Sequence, residues 1–201
     1  MSSVNILISS AFEMAFKHSP EIHQKWIKSS LFTGAQLPNT QLVISLQDIG
    51  NMDLLLRAME DESSSKAPLN LTYQRLLSDL WIGSCYEVFR VMKQKIKPES
   101  ETFKKIFKNL TLIRIGIEKH EIAGDKKLKE PIAFVCESSI EQYEYNPTDE
   151  KRGHIMKSGL SKKGSIVWEV LDIKPSPHNY WLERRDISDD VVNYLAENDY
   201  S

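Results

Sequence analysis

The stretch from residue 70 to residue 124 limits the fold more than any other. Leu77, Leu80, Trp81, Ser84, Val88, Met92 and Ile96 recur at helical spacing and form one continuous stripe. Pro98 ends that helix, because proline has no backbone N–H and disfavours helical backbone in the residue before it. Pro98-Glu99-Ser100-Glu101 then starts a second helix that runs to Ala123, with Gly124 placed to close it. Two long helices joined through so short a break pack antiparallel, which selects a helical bundle.

The flanking segments fit that frame. Ile6, Leu7, Ala11, Met14, Ala15 and Phe16 predict a helix within residues 3–30, restarted at Ser19-Pro20-Glu21. Leu42, Leu46, Ile49, Leu54 and Leu55 predict another over residues 40–60, with a bend at Gly50-Asn51, and residues 61–66 read as a loop. After Pro131 the texture changes. Ile132 to Cys136 is short and apolar, and residues 152–173 predict a β-hairpin whose tight turn is Lys162-Lys163-Gly164. Pro175 and Pro177 stop the strand, and Asp186, with Asp189 three residues on, caps a last helix through Val191, Val192 and Leu195. The expected fold is mainly α: an antiparallel helical bundle over residues 1–130, and a small C-terminal appendage over 131–201 packed on it as one compact unit. The appendage is a β-hairpin with a final short helix.

Charge and composition exclude several classes. The net charge of −2 gives no overall basic footprint for nucleic acid. The distribution is uneven: Arg90 to Glu130 holds twelve Lys/Arg against six Asp/Glu, while Asp186 to Ser201 holds five acids and no Lys or Arg. That pattern fits a solvated helix surface with a solubilising tail, or a basic face for phosphates with an acidic tail that competes for it. Cys85 and Cys136 lack Cys-x-x-Cys spacing, and the N-terminus has no basic region ahead of its apolar residues. Free thiols in the cytoplasm are therefore expected. No apolar run approaches the ~18 residues a membrane span needs, so no membrane partner is expected.

The segment Ile113-Arg-Ile-Gly-Ile-Glu-Lys-His120-Glu-Ile-Ala-Gly-Asp125 raises the functional question. With about 100° per residue and Phe103 at zero, Ile106, Phe107, Leu110 and Ile117 lie within about 60° of it, while Arg114 falls near 20° and Glu121 near 0°. An unpaired guanidinium in a core is costly, so Arg114 needs partners. Glu118 and Glu121 are one and two turns away. On the preceding helix Asp79, Gly83, Tyr86 and Arg90 share a stripe, with Glu87 at its edge. Where the two helices meet there, a polar seam forms. One reading is a structural ion-pair network in a non-catalytic protein-interaction module. The other is chemistry on phosphates: arginine gives bidentate recognition, and His120 moves a proton near neutral pH. Together they suffice for RNA cleavage without a metal.

Arg114 and His120, separated by five residues on the last long helix of an antiparallel pair, resemble the Arg-x4–6-His signature of the HEPN superfamily. The resemblance covers residues 70–125. It implies a helical bundle and a metal-independent endoribonuclease of bacterial defence or toxin biology. It also implies single-stranded RNA as substrate and a homodimer that completes the site across its interface. Arg114 and His120 would be catalytic, with Asp79, Tyr86, Glu87, Glu118 and Glu121 supporting them. The chain departs from the pattern at Ile115, where the family usually has a polar residue, and at Glu121-Ile122, where an aromatic is common. The chain is also similar to a group of short uncharacterised bacterial proteins. The similar stretches are Glu118–Asp125, His154–Leu160, Gly164–Val170 and Glu183–Asp189, and they imply a bacterial or phage origin.

No cofactor is expected, nor a metal. His120, Glu121, Asp125 and His154 are the candidate ligands, but His120 and Glu121 would point about 100° apart on a helix. No Gly-rich phosphate loop precedes a helix, and no nucleophile-elbow spacing is present. The C-terminal region groups His154, Trp168, His178, Trp181, Arg184 and Arg185. These either cover the bundle or form a surface for base stacking or partner docking.

Overall fold

The computed structural model describes residues 3–37, 41–63, 71–97, 100–135 and 142–197. Five helices come first: α1 (Ser3–His18), α2 (Pro20–Gln36), α3 (Leu42–Ser63), α4 (Leu71–Lys95) and α5 (Glu101–Lys119). A two-stranded ribbon, β1 (Ile132–Val135) and β2 (Gln142–Tyr145), follows a single 3-10 turn. An antiparallel meander comes next, β3 (Ser158–Leu160), β4 (Ile166–Asp172) and β5 (His178–Glu183), and α6 (Arg184–Glu197) closes the chain. The mainly helical class with a small antiparallel strand group and a final helix is as the sequence predicts.

Local chemistry sets most boundaries. Pro20 opens α2, and the Ser100 hydroxyl accepts from the Phe103 N–H at 3.2 Å to cap α5. α4 and α5 run antiparallel: Phe89 stacks on Phe103, Tyr86 on Phe107, and Gly83 faces Glu118, so partner numbers rise on one helix as they fall on the other. Trp81, Val88 and Leu110 are buried between layers, and Phe107 is half-buried.

Several boundaries differ from expectation. α5 ends at Lys119, not Ala123, because His120 turns left-handed with φ 53°. Gly124, at φ 79°, opens the 3-10 turn instead of closing α5. Leu80 faces outward and is 52% exposed, so the α4 stripe is rotated away from it. The predicted hairpin exists as β3 and β4 around Gly164, which takes φ 77°, but β5 pairs on the far side of β4 and was not foreseen. β5 leads directly into α6, which starts at Arg184, two residues before Asp186.

The main core crosses the boundary drawn at residue 130. Ile166, Trp168 and Val170 alternate inward from β4 and join Trp81, Phe89, Phe103 and Leu110. Ile187, Val191, Val192 and Leu195 of α6 complete the same cluster against α2 and α5. Ile122, Tyr145 and Leu171 form a smaller cluster under the ribbon. Cys85 is a free buried thiol whose titration burial pushes well up, and Cys136 lies outside the described residues. Among the described residues, no helix is long and apolar enough to cross a membrane.

A buried ionic network joins the bundle to α6. Arg184 is fully buried and donates to Glu60 at 2.6 and 2.8 Å and to Asp53 at 2.6 Å. Arg57 donates to Asp53 at 2.8 Å and to Ser188 at 2.8 Å, and Trp26 and Ser188 also donate to Asp53. Arg185 reaches Glu60 at 2.6 Å, and Ser165 in the β3–β4 turn donates to it at 2.8 Å. Burial alone would push the Asp53 carboxyl up, but Arg184, Arg57 and Ser188 bring it down to about 2 from its ordinary 3.8. Its folded value lies below its unfolded one, so its stabilisation is complete above the unfolded value and is lost as pH falls towards about 2. Urea midpoints measured between about pH 6 and pH 2 are expected to fall steeply across that acid window. A flat profile there would show that Asp53 is not held ionised by the two arginines.

Candidate functional site

The predicted polar seam forms, but around α5's edge and not in its centre. The buried side of α5 carries Phe103, Ile106, Leu110, Ile113 and also Asn109, Leu112 and Gly116. That is rotated from the predicted stripe, because the sheet and its loop cover a second side of α5: the Met156 sulfur stands 2.9 Å from where a Cβ on Gly116 would sit. Arg114 is therefore at the margin, 23% exposed. Its guanidinium lies 4.5 Å over the Tyr86 ring. Its Nε is 2.8 Å from Glu118 Oε2, with the N–H not aimed along that line, so the contact is an ion pair and not a directed hydrogen bond. Glu87 is 3.8 Å away and also accepts from Arg90 at 2.7 Å.

The other predicted residues separate into two places. His120 is exposed and leaves the helix geometry, and its carbonyl accepts from the His154 backbone N–H at 2.6 Å. Glu121 lies beyond the helix end and pairs with Arg152 at 3.2 Å, not with Arg114. Arg152 also binds Asp125 at 2.6 Å, and Tyr145 donates to Asp125 at 2.7 Å. Burial pushes the Asp125 carboxyl up, but Tyr145 and Arg152 outweigh it and hold it below the ordinary range. An arginine thus occupies the middle of the group considered as metal ligands. Among the described residues, no three His, Cys, Asp or Glu are placed to hold a metal ion.

Asp79, Glu87 and Glu118 share a groove of about 640 Å³ with Asp48. Its floor is the outward face of α4, and α3 and the end of α5 form its walls. Leu76, Leu80 and Val91 line it from α4, with Gly83 and Ser84 between them; Ile49 and Met52 come from α3, and Ile117 from α5. Neither Arg114 nor His120 lines it, nor, among the described residues, does any lysine. Asp79 accepts from the Trp168 indole at 3.2 Å and lies 3.9 Å from Arg75. Burial pushes its carboxyl above the ordinary range, against the pull of Arg75 and Trp168. The sequence reading missed Asp48, Leu76 and Val91. The available signal was a second apolar face on α4, with Leu76, Leu80 and Val91 about 80–140° round the helix from Trp81.

The C-terminal aromatic and cationic residues do not form one surface. Trp168 and Arg184 are buried, and Arg185 is tied to Glu60 and Asp61. Trp181 is exposed. His154 and His178 line a second cleft, of about 760 Å³, with Phe134, Tyr143 and Glu169. Burial there pushes the His154 imidazole below its ordinary range, partly opposed by Glu169. The acidic C-terminal segment does reach the basic helix, where Lys105 and Asp190 pair at 2.8 Å.

Comparison of the chain with protein-family models, with curated proteins and with solved structures finds no match.

Proposed function

We propose that the chain acts as a non-catalytic protein-interaction module, in which Arg114 and its carboxylates form a structural ion-pair network beside a docking groove. One observation carries this reading: the Arg114 guanidinium is already engaged by Glu118, Glu87 and the Tyr86 ring. A phosphate would have to displace two carboxylates to reach it. The adjoining groove is lined by these two carboxylates and by two more, Asp48 and Asp79, which repel a polyanion. The HEPN-like reading needs the opposite arrangement, with Arg114 open to phosphate and His120 acting on the same bond.

A metal-free digest and a melting curve on three proteins test the proposal. Wild type is expected to leave single-stranded RNA intact in EDTA. Arg114→Ala should lower stability by about 1–2 kcal/mol, since both carboxylates regain water while the stacking on Tyr86 is lost. His120→Ala should cost less than about 1 kcal/mol. RNA cleavage by wild type that disappears in both variants, with each still folded, would replace the module with a nuclease.

A further inference from the structure

We infer that the groove on α4 receives a basic amphipathic helix from a partner protein. This rests on the interaction-module reading and names its partner class. The shape comes first. Leu76, Leu80, Gly83, Glu87 and Val91 recur along one face of α4, and 1.5 Å per residue makes that floor roughly 22 Å long, enough for about four turns of an added helix. α3 and the end of α5 stand on either side of it, so the vacancy has the form of a missing bundle member. Leu76 and Leu80 are 54% and 52% exposed, large apolar side chains left open on the helix surface. Gly83 and Ser84 sit mid-floor and keep it low. Among the described residues outside α4's own neighbouring backbone, only a Glu118 oxygen comes within 4 Å of a Cβ built on Gly83, so an incoming backbone can come close there.

Charge selects among occupants. Asp48, Asp79, Glu87 and Glu118 line the groove and, among the described residues, no lysine or arginine does. Arg114, Arg90 and Arg75 meet Glu118, Glu87 and Asp79 from outside the lining, and no ion pair engages Asp48 among those residues. Asp79 is held partly out of water beside apolar side chains, where an incoming ammonium or guanidinium would stabilise its ionised form. A helix with a leucine-type stripe at i, i+3, i+4 and i+7, flanked by Lys or Arg, satisfies both the floor and the rim. Nucleic acid fits neither. The chain's own α1 carries an exposed apolar face, Val4, Leu7, Ile8 and Met14, but its cations are confined to Lys17 and His18 in the last turn.

The test uses the full chain and two synthetic helical peptides with the same leucine stripe, one flanked by Lys and one by Glu, followed by fluorescence anisotropy. The Lys-flanked peptide is expected to bind saturably, to weaken as salt rises, and to lose roughly tenfold or more in affinity with Leu80→Glu, as the loss of a central apolar anchor does. Leu80 is exposed, so that variant should melt like wild type. Leu31→Glu, an exposed apolar position on α2 outside the groove, should bind normally. Equal binding of the Glu-flanked peptide overturns the basic partner while leaving an interaction module. Binding indifferent to Leu80→Glu overturns the groove as the site, and no saturable binding overturns the proposal. Concentration-dependent self-association of the chain, abolished by Leu80→Glu, would overturn a foreign partner in favour of a second copy. The RNA digest decides the module reading separately.

Discussion

Arg184→Met is expected to destabilise the protein by about 3–5 kcal/mol, the largest loss from any single charged residue. Arg184 has no exposed surface, and three of its nitrogens are committed, to Asp53 and to both oxygens of Glu60. Methionine fills much of the space but leaves Glu60 with Arg185 and Ser165 alone. Asp53 keeps Arg57, Trp26 and Ser188, so the penalty falls mainly on Glu60, a carboxylate that cannot reach water. Arg184→Lys should recover little, because an ammonium cannot span two carboxylates as the planar fork does. Arg90→Met is the contrast. Its pair with Glu87 is 40% and 48% exposed, and its loss should cost below about 1 kcal/mol. Urea denaturation of the three variants measures this directly. A loss under about 1 kcal/mol for Arg184→Met would mean that the network is not formed in solution.

The same network shows why part of the molecule was legible in the sequence and part was not. Asp53, Arg57 and Glu60 stand at i, i+4 and i+7 on one face of α3, together with the buried Leu46 and Ile49. That is the signal read at Arg114: charges inside an apolar stripe. At Arg114 one partner, Glu118, is a turn away and another, Glu87, is on the adjoining helix of the pair, so spacing and helix pairing indicate both, while Glu121, two turns on, pairs with Arg152 instead. At Asp53 and Glu60 the decisive partner, Arg184, is 131 and 124 residues away. Periodicity along one helix cannot supply it, and the sequence places Arg184 only in a group of aromatic and cationic residues that either covers the bundle or forms a surface. The phase of α5 failed for a related reason. A helical stripe identifies one buried face, but α5 lies between the bundle and the sheet and buries Leu112 and Gly116 as well as Ile106 and Leu110. Helix existence was readable because it rests on local spacing, Pro20 and the Ser100 cap. The end of α5 was not, since His120 adopts a left-handed backbone that glycine or asparagine more often takes.

Those errors moved the candidate site by one helix face. The stripe that was expected to hold Arg114 in the core instead leaves it beside the groove. Glu118 then serves two purposes, as counter-ion to Arg114 and as part of the acidic rim. The α3 wall of the groove ends at Met52, one residue before Asp53, which the buried network ties to Arg184.

Trp81→Ala should cost about 3–5 kcal/mol, close to the Arg184 variant. The ring is fully buried among the helices. Its indole N–H donates to the Ile49 carbonyl at 3.2 Å, and the Arg184 guanidinium lies 5.4 Å from its centroid. Alanine leaves a large void, deprives that carbonyl of its side-chain donor and removes a face of the arginine's pocket. Trp81→Phe keeps most of the volume and should cost roughly 1–2 kcal/mol, mainly the hydrogen bond. Because Trp81 and Arg184 touch, their effects should not add. In a double-mutant cycle the pair is expected to show a coupling of roughly 0.5–2 kcal/mol, whereas Trp81→Ala with Arg152→Met, whose partners Asp125 and Glu121 are not Trp81's, should add within about 0.5 kcal/mol. Urea denaturation of the singles and doubles measures both. Additivity at Arg184 would show that the arginine's stability comes from its carboxylates alone and that the indole is only filling space.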